Sequence, residues 1–150
     1  MAGLWFEEFE KGRVFEHEIR RTVTESDNVW FCGATCNPAA IHIDAQYCKT
    51  TEFGRPLVNS IFTLGLVLGL SVQETTLGTT VANLGMSDTR FPNPVFAGDT
   101  VRARTTVMDL RESKSRPNAG IVTFLHQGFN QDGKEVCTCT RQALMLGRPV

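Results

Sequence analysis
The chain has 150 residues, 41% of them hydrophobic and 21% charged, and a net charge of -1. That length predicts a single domain over residues 1–150 with a sizeable core. The near-zero charge excludes a broad field for nucleic acid or for an anionic membrane, so neither is expected as a partner.

Met1 to Glu8 has no positive segment followed by a long apolar run, which predicts no signal peptide and a cytoplasmic location. The 5 cysteines are an odd number, which predicts reduced thiols rather than a disulfide framework. No Cys-x-x-Cys pair exists and only His17, His42 and His126 could join the cysteines, so no metal is expected.

A strand is predicted from Val14 to Thr24, where Phe15, His17, Ile19 and Arg21 alternate with Glu16, Glu18, Arg20 and Thr22. Hydroxyls and acids cluster at Thr24-Glu25-Ser26-Asp27, where a helix should begin. That helix is predicted from Asp27 to about Cys36, with Val29, Trp30 and Cys36 as a rough apolar stripe before Pro38. A loop follows at Asn37 to Asp44, then a short helix at Ala45 to Thr51, broken by Gly54.

Ser60 to about Glu74 is the central feature. From Ile61 onward its apolar residues surround the helical wheel, as in a helix that is buried or spans a membrane. Ser60 to Val72 rises only about 20 Å, short of the roughly 30 Å of a bilayer core. One fully enclosed helix is therefore predicted, with Asn59 or Ser60 as its cap. Gly65 and Gly69 share one face, which predicts a closely approaching backbone there.

Strands follow: Thr80 to Phe91 with an irregularity at Gly85, Thr100 to Glu112, Ile121 to Asn130, and Glu135 to Leu146. Ser113 to Gly120 reads as a hairpin loop and Gln131 to Lys134 as an Asp-Gly turn. The economical solution is an α+β fold, an antiparallel sheet curled around the helix.

Two segments carry a resemblance. One is His42-Ile43-Asp44, followed by Ala45, Tyr47 and Phe53-Gly54-Arg55-Pro56-Leu57-Val58 leading into the helix. The other is Arg90-Phe91-Pro92-Asn93-Pro94-Val95-Phe96-Ala97-Gly98-Asp99-Thr100. Spaced around a hydrophobic helix, they resemble the MaoC-like hydratase/dehydratase family. The resemblance implies a hotdog fold, an enoyl-CoA thioester as substrate, hydration or dehydration as reaction, no cofactor beyond the coenzyme A of the substrate, and assembly as a homodimer or larger. Thr50 to Ser60 and Ser115 to Gly120 are similar to a branch acting on mesaconyl- or itaconyl-CoA.

The resemblance also assigns roles. His42 matches the family histidine, suited to proton transfer near neutral pH. The backbone N–H of Ser60, beside Asn59 at the helix start, matches the oxyanion donor. The family's acid, five residues before the histidine, is replaced by Asn37, and an alignment on Asn37-Pro38 puts Thr35 there instead. An amide orients water but does not exchange a proton at neutral pH. Either His42 transfers every proton while Asn37 orients water, or a carboxylate such as Asp44 or Asp27 moves in, or the site binds acyl-CoA without hydrating it. Asp44 also suits a cap for the helix at Ala45. Arg55, Arg90 and Arg116 are candidates for a substrate carboxylate. A hotdog thioesterase and a non-catalytic acyl-CoA-binding subunit are the alternatives.

Overall fold
The computed structural model describes residues 3–149. The strands β1 (Val14–Thr22), β2 (Thr80–Arg90), β3 (Thr100–Glu112), β4 (Ala119–Phe129) and β5 (Glu135–Leu146) form one antiparallel sheet in the order β1-β3-β4-β5-β2. Four helices join α1 (Glu25–Ala34), α2 (Ala40–Ile43), α3 (Ala45–Cys48) and α4 (Ser60–Thr75) to it. The long α4 packs across β1, β3, β4 and β5. This is the hotdog fold that the resemblance implies, in the α+β class.

Inward side chains alternate along β3, β4 and β5, as the sequence predicts. Val67 and Leu70 of α4 meet Val101, Ala103, Val136 and Cys137 of the sheet. Each of the valine and leucine side chains contributes roughly 1.5–3 kcal/mol on burial. A second cluster of Phe9, Val107, Val122, Phe124 and Met145 closes the other end. A row of polar residues runs between strands inside this core. His17 Nε2 meets Thr105 Oγ1 at 2.8 Å, and the same hydroxyl meets His126 Nδ1 at 2.8 Å. His17 Nδ1 is paired with Glu74 at the far end of α4.

Five expectations are corrected. The central helix is not fully enclosed: Thr63, Val67, Leu70, Ser71 and Thr75 are buried, but Ile61 is 56% exposed and Gly65 and Gly69 are exposed. The sheet covers one side of the helix, and nothing lies within 4 Å of a Cβ built at either glycine. Close approach occurs on the sheet instead, at Gly128 of β4, where a Cβ would overlap the Val67 side chain. Helix α1 begins two residues early because Thr24 and Asp27 form a capping box. It buries Asn28 and Cys32, while Val29 and Trp30 face outward and Cys36 lies beyond its end. The predicted loop contains the single turn of α2. Finally, the alternation that groups Ile19 with His17 breaks: His17 is buried and Ile19 exposed, because the β1–β3 register shifts between Glu16 and Arg20.

At the N-terminal end of α4, three segments are tied together. Val58 N–H donates to Val95 O at 2.9 Å, and Leu57 bridges to Phe96. Gly98 N–H donates to Val23 O, and Val23 N–H to Asp99 O, both at 2.8 Å. The connection over 91–99 thereby joins the end of β1 to the segment entering α4.

Candidate active site
His42 ends its short helix beside that segment. Its Nδ1 lies 2.7 Å from the Leu57 carbonyl oxygen. A carbonyl only accepts, so Nδ1 carries the proton and donates it. The Nε2 atom is left as the acceptor, and it has no hydrogen-bond partner among the described residues. His42 lines a cleft of about 300 Å³ with Glu25, Asn28, Arg55, Pro56 and Val58 among its walls.

Asn28 holds this arrangement together. Its Nδ2 donates to His42 O at 2.9 Å and to Leu57 O at 3.1 Å. Its Oδ1 accepts from Asn59 N–H at 2.9 Å. The side chain belongs to a residue only 3% exposed, so these bonds form away from water. Nothing in the local sequence marks Asn28, because its partners lie 14, 29 and 31 positions away.

At the tip of α4, Asn59 is the cap: its Oδ1 accepts from Ile61 N–H at 2.9 Å. Its own N–H is taken by Asn28. Ser60 N–H lies between these two and makes no hydrogen bond among the described residues. It points from the positive end of the helix dipole. Ser60 lines an adjoining cleft of about 340 Å³, and Val58 forms part of the wall of both clefts.

The other candidates are placed as follows. Asn37 Oδ1 accepts from Ala39 N–H at 3.0 Å, a local turn, and Asn37 is not on the His42 cleft. Asp44 Oδ1 caps α3, accepting from Gln46 N–H at 3.0 Å and Tyr47 N–H at 2.9 Å. Asp27 is bound by Arg21 and Thr24. Its carboxyl is held below the usual range by those bonds, against the opposing effect of burial, the largest single influence. The carboxylate on the His42 cleft is Glu25. It sits three residues before Asn28 and so shares its face of α1. That spacing was legible in the sequence; the direction of the face was not.

Arg55 lines the same cleft, with its guanidinium 3.9 Å from the centre of the Phe96 ring. Arg90 ends β2 opposite Thr138, away from the His42 cleft. Arg116 lies in the β3–β4 hairpin, at the other end of β3 from Thr100 and the α4 tip, and its N–H donates to Ser113 Oγ at 3.1 Å. The structure thus puts His42 and Arg55 on one cleft and Ser60 on the adjoining one, ties Asn59 to His42 through Asn28, and keeps Arg90 and Arg116 off the walls of both. Among the described residues no group of His, Cys, Asp and Glu is arranged to hold a metal ion. No described helix is long and apolar enough to cross a membrane.

Known proteins share this architecture and sequence. The chain is 30% identical over 147 residues to a mesaconyl-CoA hydratase of Cereibacter sphaeroides, covering 98% of this chain and 42% of that protein. It is 37% identical over 93 residues to an (R)-specific enoyl-CoA hydratase of Aeromonas caviae, covering 62% of this chain and 64% of that one. A solved structure from Archaeoglobus fulgius, described as a monoamine oxidase regulatory protein, superposes with a TM-score of 0.86 at 30% identity, over 99% of this chain and 98% of that chain. The chain spans about two fifths of the length of the mesaconyl-CoA hydratases that it matches. The sequence pattern of the MaoC-like domain matches residues 8–128, and the chain belongs to that family.

Proposed function
We propose that the chain adds water reversibly across the double bond of an enoyl-CoA thioester, with His42 as the general base. One observation carries this reading: the Nδ1–H bond to Leu57 O leaves His42 Nε2 free as a proton acceptor on a cleft. The substrate lies over Val58, so that its alkene meets His42 and its thioester oxygen meets Ser60 N–H. His42 Nε2 takes a proton from water as the water oxygen bonds to the β-carbon. The alkene electrons move toward the thioester oxygen, where Ser60 N–H and the helix dipole stabilise the enolate. The proton taken up by His42 reaches the α-carbon through Glu25, the acid on the same cleft. Asn37 has no part in these steps.

The mesaconyl-CoA hydratase and β-methylmalyl-CoA dehydratase relatives support a branched dicarboxylic acyl group. Arg55 is the cation available for the extra carboxylate in the His42 cleft. The reaction needs no cofactor, since coenzyme A belongs to the substrate. A homodimer in the cytoplasm is the proposed setting. Its support is the exposed Leu84 and Met86 on the edge strand β2 and the open face of α4 at Ile61 for the dimer, and the odd number of cysteines in the sequence for the compartment.

The test is incubation of the purified chain with crotonyl-, mesaconyl- and itaconyl-CoA. Loss of enoyl absorbance without release of free thiol is expected from at least one. His42→Ala should abolish it, and Glu25→Gln should lower it by about 10²-fold or more. Full activity in His42→Ala would remove the site from the reaction, and release of free thiol would make the protein a thioesterase.

A further inference from the structure
We propose that the nucleotide phosphates of the thioester carrier bind in a cationic cleft built by Arg20 and Arg102. The inference rests on the acyl-CoA reading above. Arg20 of β1 and Arg102 of β3 are opposite each other in the sheet register. Like charges directly opposite each other are unfavourable unless something offsets them. Glu16, on the same strand as Arg20, divides its two oxygens between Arg102 and Arg104. Arg20 has no carboxylate partner among the described residues. One carboxylate thus serves two of the three guanidinium groups, and Arg20 is left without one.

The cleft beside them measures about 470 Å³, and its walls are Arg20, Thr22, Thr100, Arg102, Asn130 and Gln131. None of these is acidic. Two arginines with hydroxyls and amides around them suit phosphate oxygens, which guanidinium groups bind in pairs of charge-assisted hydrogen bonds.

Shared wall residues set this cleft two steps from the one that His42 lines. A middle cleft of about 200 Å³ shares Asn130 and Gln131 with it, and shares Arg55 with the His42 cleft. The charges of this middle part balance: Arg55 and Lys134 stand with Asp99 and Asp132. Both Asp99 oxygens are already bonded, to Gln131 Nε2 and Phe96 N–H, each at 2.8 Å. From His42 outward the neighbouring clefts are thus first the reaction cleft, then charge-balanced, then cationic. A coenzyme A thioester has that same sequence of parts: acyl group, uncharged amide arm, phosphorylated nucleotide.

The experiment is calorimetric binding of coenzyme A, pantetheine and ADP to the full chain, repeated with Arg20→Gln and Arg20→Glu. Coenzyme A should bind the natural sequence about tenfold or more tightly than pantetheine, with a gap that narrows as salt is added. Arg20→Gln should shrink that gap and Arg20→Glu should close it. Equal affinity for coenzyme A and pantetheine would overturn the proposal, as would an undiminished gap in Arg20→Glu. ADP bound as tightly as coenzyme A would make this a free-nucleotide site and overturn its link to the thioester. Hydration without any preference for coenzyme A over pantetheine removes the cleft and leaves the hydratase. A charge-dependent preference without hydration leaves the cleft and removes the hydratase.

Discussion
The Asn28 side chain donates to the His42 carbonyl at 2.9 Å while its oxygen accepts the Asn59 N–H at the same distance. One buried amide from α1 thus sets the spacing between the histidine and the helix tip. Asn28→Ala leaves two carbonyls and one N–H without these bonds. It should cost about 2–4 kcal/mol of stability and lower hydration even where the chain stays folded. Urea unfolding and the enoyl absorbance assay check the two effects separately. An unchanged rate in a folded Asn28→Ala would show that the spacing does not matter.

Ser60 is the first residue of α4, where proline is tolerated. Asn59 before it has φ -58 and ψ 127, a conformation that a following proline permits. Ser60→Pro therefore removes the N–H and keeps the helix. We expect the hydration kcat to fall by about 10²-fold with an unaltered circular dichroism spectrum. A kcat near that of the natural sequence would take Ser60 N–H out of the mechanism.

Gly128 is where α4 sits down on β4. Gly128→Ala should destabilise the chain by about 1–3 kcal/mol through overpacking against Val67. Adding Val67→Ala should recover part of that loss, which a double-mutant cycle of denaturant midpoints would read. Strictly additive losses would place the contact elsewhere.

His126 is fully buried, and its value is pushed from 6.5 down to about 3, by burial first and then by the charges of Arg141 and His17. The unfolded chain therefore binds a proton that the folded chain refuses between these values. Stability from this residue is complete above pH 6.5 and is lost as pH falls toward 3. Between pH 6.5 and 5 the loss should be about 2 kcal/mol. Denaturant unfolding at a series of pH values measures it, and His126→Leu should flatten the slope there. A natural chain equally stable at pH 7 and pH 5 would contradict this account.

Strand periodicity, the Asp-Gly turn and the apolar helix were legible because each depends on neighbours in sequence. Asp44 as a cap was legible for the same reason, since its partners are two and three residues on. The openness of α4 was not, because apolar residues around a wheel do not tell which side the sheet covers. Ile19 was misread because one register shift reverses the faces that alternation assigns. His42 was legible through family resemblance, whereas Asn28 and Glu25 depend on how α1 is oriented against segments far along the chain.

Thr105 has one hydroxyl proton and touches two imidazoles. With His17 neutral and giving its Nδ1 proton to Glu74, His17 Nε2 must receive the Thr105 proton. Thr105 can then only accept, so His126 must be the Nδ1–H tautomer, with a bare Nε2. A second proton on His17 would turn the hydroxyl around and reverse that order. The two rings, on strands that do not touch, cannot choose their tautomers independently.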